Sequence, residues 1–103
     1  MGLFELFTHR PSMKEGLAQM QNEKNAVLLD VRTPEEYRAG HLPGAVNLPL
    51  DRLNTIDIPA ERPIFAYCHS GARSARACSW LERAGYRTVN LGGLMHYQGR
   101  LEP

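Results

Sequence analysis

The chain has no excess of either charge. Its 12 lysines and arginines face 11 aspartates and glutamates, for a formal net charge of +1. That balance excludes the strong pull toward nucleic acid or anionic membrane that a one-sided charge would exert. No apolar run approaches the roughly 20 residues of a membrane span. The start, Met1-Gly2-Leu3-Phe4-Glu5-Leu6, lacks the basic and long apolar regions of a secretory signal. It also lacks the Ser or Thr at its sixth position that a myristoylation signal needs. Cysteine is scarce, with only Cys68 and Cys78. If a helix begins near Ala72, Cys78 lies roughly 9 Å along it, farther than the about 7 Å between Cα atoms that a disulfide tolerates. Two cysteines that form no disulfide with each other fit a reducing cytoplasm. The histidines at 9, 41, 69 and 96 show no metal-ligand spacing, and no metal or cofactor is expected.

What is present fits a single domain with a modest core. Residues 1–11 form a lead bearing apolar Leu3, Phe4, Leu6 and Phe7, and 12–103 form the domain. Ser12 with Glu15 has the form of a capping box, and Met13, Leu17 and Met20 recur at helical spacing, predicting a helix to about Lys24. Val27-Leu28-Leu29 reads as a buried parallel strand ending in Asp30-Val31-Arg32. Thr33-Pro34-Glu35-Glu36 opens a brief second helix that stops at Gly40. A turn at His41-Leu42-Pro43-Gly44 leads to a strand at 45–48, and Leu50 to Leu53 is long enough for one helical turn. Ile64 to Tyr67 is the next strand. A helix then carries Ala77, Cys78, Leu81 and Ala84 on one face and stops at Gly85. Thr88 to Leu91 is the last strand, closed by Gly92-Gly93. Short apolar strands alternating with helices predict an α/β domain, a parallel sheet covered on both faces.

The chemistry centres on Cys68-His69-Ser70-Gly71-Ala72-Arg73. The apolar strand stops at a cysteine, a polar loop follows, and a helix starts near Ala72. Loop N–H groups and the helix dipole then favour negative charge at the thiol. Arg73, and His69 when protonated, add positive charge, and such neighbours lower a cysteine's pKa. The plain alternative is a buried cysteine filling a strand end. A core cysteine needs no glycine-bearing cationic loop after it, so Cys68 reads as a nucleophile. Gly71 lets the backbone approach the sulfur or adopt positive φ, and Arg73 offers a planar fork to an oxyanion. His69 either attracts the donor or faces solvent. Cys78 reads as core filling.

Four segments together resemble a single-domain rhodanese from about Ser12 to Gly93. They are Asp30-Val31-Arg32 with Glu36-Tyr37; Gly40-His41-Leu42-Pro43-Gly44-Ala45; Cys68 to Arg73 followed by Ser74; and Gly85-Tyr86 leading to Leu91-Gly92-Gly93. The resemblance implies a rhodanese-like domain with a five-stranded parallel sheet. It also implies a sulfurtransferase whose Cys68 carries sulfane sulfur as a persulfide, cradled by His69, Ser70, Gly71, Ala72 and Arg73. The implied partners are a small sulfur donor and a thiol, cyanide or protein acceptor, with no nucleic acid and no membrane. Asp30 and Arg32 read as a structural ion pair, and His41 as a hydrogen-bonded turn residue. Where relatives carry a tryptophan after the paired glycines, this chain has Leu94-Met95-His96-Tyr97, and Tyr97 is available for that packing role. Three rival functions remain: a persulfide carrier, a non-catalytic module of the same fold, and a phosphatase or arsenate reductase. In the last group the arginine stands one residue farther from the cysteine, and the shorter loop here suits a sulfur atom better than a tetrahedral oxyanion.

Overall fold

A computed structural model describes residues 12–103; the lead at 1–11 lies outside the described residues. Ser12 caps helix α1 (Met13–Gln21): its Oγ accepts from the Glu15 N–H at 3.1 Å, and Glu15 Oε1 accepts from the Ser12 N–H at 2.8 Å. The helix stops short of the expected Lys24. Asn25 stands at φ 63°, a left-handed conformation that asparagine tolerates, and so turns the chain into the sheet.

Strand β1 (Val27–Asp30) and strand β3 (Ile64–Cys68) are buried at every residue. This is why both read as continuous apolar runs rather than alternating ones. Between them come helix α2 (Pro34–Ala39), strand β2 (Val46–Asn47) and a 3₁₀ helix at Leu50–Thr55. Helix α3 (Ala72–Arg83), strand β4 (Thr88–Gly93) and a 3₁₀ turn at Leu94–His96 follow. The sheet is parallel throughout, in the order β2-β1-β3-β4. It has four strands among the described residues, not the five that the family resemblance implied. The four stretches expected as strands, at 27–29, 45–48, 64–67 and 88–91, each form one.

Alternation along the strands divides two cores. Leu29, Ala66 and Cys68 pack with Ala77, Cys78 and Leu81 of α3 on one face. Leu28, Phe65 and Tyr67 pack with Met13 of α1, Leu91 and Leu94 on the other, where Tyr37 and Tyr97 close the edge. Cys78 is core filling in the first cluster. Tyr97 does pack beside the paired glycines' strand.

A polar clamp sits at the carboxyl ends of β1 and β3. The fully buried Asp30 carboxylate accepts from the Arg32 guanidinium (2.7 Å to Oδ2), the Arg32 N–H (2.9 Å) and the Tyr67 hydroxyl (2.8 Å). Arg32 also donates to the Gly40 carbonyl at 2.7 Å, and Tyr67 accepts from the Leu42 N–H at 3.0 Å. Every member is satisfied, so the network can be buried without orphaned charge. It joins β1 and β3 to the turn that follows α2. His41 stacks on Tyr37 at 3.7 Å between ring centroids and exchanges backbone hydrogen bonds with Glu102, so it is a hydrogen-bonded turn residue.

Candidate active site

Cys68 closes β3 with its side chain toward α3 and no exposed surface. Gly71, the N-cap of α3, stands at φ 98°, a region that L side chains rarely enter. That bend brings backbone donors onto the sulfur. The Gly71 N–H points at Sγ at 3.0 Å, the Ser74 N–H at 3.3 Å, and Ser74 Oγ lies 3.4 Å away. From the other side, a Cβ on Gly93 would strike the His69 carbonyl, and the Met95 N–H donates to that carbonyl at 3.0 Å. The end of β4 and the 3₁₀ turn after it thereby hold the loop down on the sulfur.

Burial pushes the Cys68 thiol up. Hydrogen bonds from the Ser74 hydroxyl and from the N–H groups of Ser74, Gly71 and Arg73 outweigh burial, and the thiol lies below its ordinary value. The cradle is therefore made by backbone N–H groups and the Ser74 hydroxyl rather than by the side chains of residues 69–73. His69 and Ser70 are exposed, and Ser70 Oγ accepts from the Ala72 N–H at 3.4 Å. The Arg73 side chain turns to α2, where it binds Glu36 in a two-pronged pair at 2.7 and 2.9 Å.

That pair has a consequence for acid stability. Hydrogen bonds from Arg73, ahead of those from Thr33, hold the Glu36 carboxyl at about 2, against an ordinary 4.5. A carboxylate depressed on folding stabilises the fold above its unfolded value and loses that contribution as pH falls through its folded value. The melting-temperature gap between the native protein and Glu36→Gln should be constant above about pH 5. It should close as pH falls from 4.5 toward 2. A gap independent of pH would contradict the pairing.

Two residues of the site had been given no role from sequence. Ser74, fully buried, places its hydroxyl 2.7 Å from Asn90 Oδ1, and the Gly92 N–H donates to the same Oδ1 at 2.9 Å. Ser74 follows Arg73 directly and was within reach of a sequence reading. Asn90 carried no local signal: it arrives through β4, whose register slips by one residue opposite Ala66 and Tyr67. A hydroxyl has one proton to give. Asn90 Oδ1 at 2.7 Å and the Gly71 carbonyl at 3.2 Å compete for it while the thiol is neutral; on ionisation the proton can turn to sulfur, 3.4 Å away. Ser74→Ala should therefore raise the Cys68 pKa, read as a shift to higher pH in the rate of thiol alkylation. An unshifted profile would remove Ser74 from the charge balance of the site.

The surface beside the cradle has two grooves. One, ≈ 760 Å³, has Arg73 in its wall; the other, ≈ 700 Å³, has Ser70. Cys68 lines neither of them.

The rhodanese-like domain model matches residues 13–99. A sulfurtransferase of Allochromatium vinosum is 40% identical over 83 residues, covering 77% of this chain and 78% of that one. The putative sulfur carrier protein YrkF of Bacillus subtilis is 30% identical over 88 residues, 82% of this chain and 48% of that longer protein. The crystal structure of a rhodanese-like domain protein from Staphylococcus aureus superposes with a TM-score of 0.71 at 31% identity, covering 92% of this chain and 97% of that one. With a thiol held by backbone donors at the head of a helix, and with sulfurtransferases among its relatives, the chain belongs to the rhodanese-like family.

Proposed function

We propose that this domain is a sulfurtransferase that carries sulfane sulfur on Cys68. The observation that supports it most is the pair of N–H groups, from Gly71 and Ser74, at 3.0 and 3.3 Å from Sγ. Donors fixed before reaction stabilise developing negative charge without reorganising. The Cys68 thiolate attacks the outer sulfur of a donor such as thiosulfate or a polysulfide. A new S–S bond forms at Cys68, and the donor's S–S bond breaks with its electron pair leaving on sulfite or the shortened polysulfide. An acceptor thiolate, or cyanide, then attacks the outer sulfur, and the Cys68 thiolate departs. Residues 69–73 wall the space for that outer sulfur. Because Cys68 has no exposed surface, donor and acceptor meet it as the His69–Gly71 turn gives way.

Arg73 acts chiefly through Glu36, fixing the cradle to α2. The same chemistry without small-molecule turnover would make a persulfide carrier, a reading favoured by the buried thiol and the carrier-named relative. The cytoplasm, which keeps Cys68 and Cys78 reduced, is the setting this reading implies. The test is a paired assay of thiocyanate formation from thiosulfate and cyanide, and of phosphate-ester hydrolysis. Sulfur transfer without hydrolysis is expected; hydrolysis without sulfur transfer would overturn the proposal.

A further inference from the structure

Helix α3 continues past the cradle with a second pattern. Arg73, Arg76, Trp80 and Arg83 recur at i, i+3, i+7 and i+10, which is one stripe of a helix. All four line the ≈ 760 Å³ groove, whose floor includes Val31 and Leu50. Its inner end is Arg73, the chain neighbour of Ser74, whose N–H points at Cys68 Sγ at 3.3 Å. The charge of Arg73 is taken up by Glu36. Arg76 and Arg83 are exposed and have no ion-pair partner among the described residues. Asp51 is the single carboxylate in that wall.

From Arg73 to Arg83 the stripe runs about 15 Å at about 1.5 Å per residue. A small thiol at the cradle would not reach Arg83. An extended peptide, at about 3.3 Å per residue, covers the distance in four to five residues. Guanidinium forks suit carboxylates, and Trp80 offers a flat apolar surface between them. A phosphate backbone calls for a longer run of cations than two free arginines. Resting on the sulfurtransferase reading, we propose that this groove binds an extended acidic segment of the protein that accepts the sulfur. Its carboxylates pair with Arg76 and Arg83, its chain crosses Trp80, and its thiol lies at the Arg73 end.

Trp80 is the only tryptophan of the chain, so its fluorescence reports on this groove whether or not any sulfur moves. The probes are short synthetic peptides carrying one terminal cysteine and a run of glutamates, with glutamine and lysine counterparts. The acidic peptide should change Trp80 emission saturably and bind about tenfold more tightly than the glutamine peptide at low salt. The preference should shrink at high salt. In the double variant Arg76→Glu, Arg83→Glu it should pass to the lysine peptide, a reversal that loss of folding cannot mimic. Transfer from sulfur-loaded protein should favour the acidic peptide by a similar factor. Equal binding of all three peptides, or tighter binding of a single-stranded oligonucleotide, would overturn the inference. Binding of the acidic peptide by a protein that accepts no sulfur would uphold the groove and overturn the sulfurtransferase reading. Sulfur loading with no charge preference would do the reverse.

Discussion

Cys68→Ser is expected to transfer no sulfur from any donor to any acceptor. A serine hydroxyl occupies much the same space, so the two N–H groups of Gly71 and Ser74 still have an acceptor and the fold survives. What is lost is the chemistry: oxygen neither ionises near neutral pH nor holds an outer sulfur that a second nucleophile can remove. Cys78→Ser is the matched control. Cys78 belongs to the same apolar cluster as Cys68 but sits on α3, away from the cradle. It should retain transfer and lose some stability, because a hydroxyl is more costly than a thiol to take out of water into an apolar cluster. The measurement is the rate of thiocyanate formation together with the denaturant midpoint of each variant. Transfer that persists in Cys68→Ser and vanishes in Cys78→Ser would exchange the two roles.

The largest effect on stability is expected from Asp30→Ala. Asp30 is fully buried and Arg32 nearly so. Removing the carboxylate leaves the guanidinium in the interior with only the Gly40 carbonyl, and leaves the Tyr67 hydroxyl without its acceptor. Breaking a buried pair from one side typically costs about 3–5 kcal/mol. A small domain has about 5–15 kcal/mol in all, so the variant should unfold at a much lower denaturant concentration. Its unfolding slope should be unchanged. Activity should fall with the folded fraction and no faster, since no residue of the clamp is among the donors to Cys68 Sγ. A loss under about 1 kcal/mol, the size of an exposed pair, would show that Arg32 is solvated without Asp30.

Much of this architecture was legible because it is local. Ser12 with Glu15 and Thr33 with Glu36 form both halves of their capping boxes. Gly85, at φ 102°, ends α3 as its position suggested. The apolar runs at 27–30 and 64–68 became the two central strands, and the strand–loop–helix order placed the Cys68 thiol under backbone donors. What could not be read depends on pairs far apart in the chain. Asp30 meets Tyr67 because β1 and β3 pair in that register. Asn90 meets Ser74 because β4 slips by one residue beside the loop. Glu36 was visible as a capping residue, yet its grip on Arg73 across 37 residues comes from α2 lying over the start of α3. The fifth strand had no apolar run behind it in residues 12–103 and came from likeness to relatives alone.

The central claim is that the sulfur in transit sits on Cys68. It is tested most directly by incubating the native protein with thiosulfate and, separately, with polysulfide, then measuring intact mass and locating any added sulfur by fragmentation. One additional sulfur atom, carried on Cys68 and removed by a reducing thiol, is the predicted result. No added sulfur from either donor, or sulfur on Cys78 with Cys68 unmodified, would contradict it.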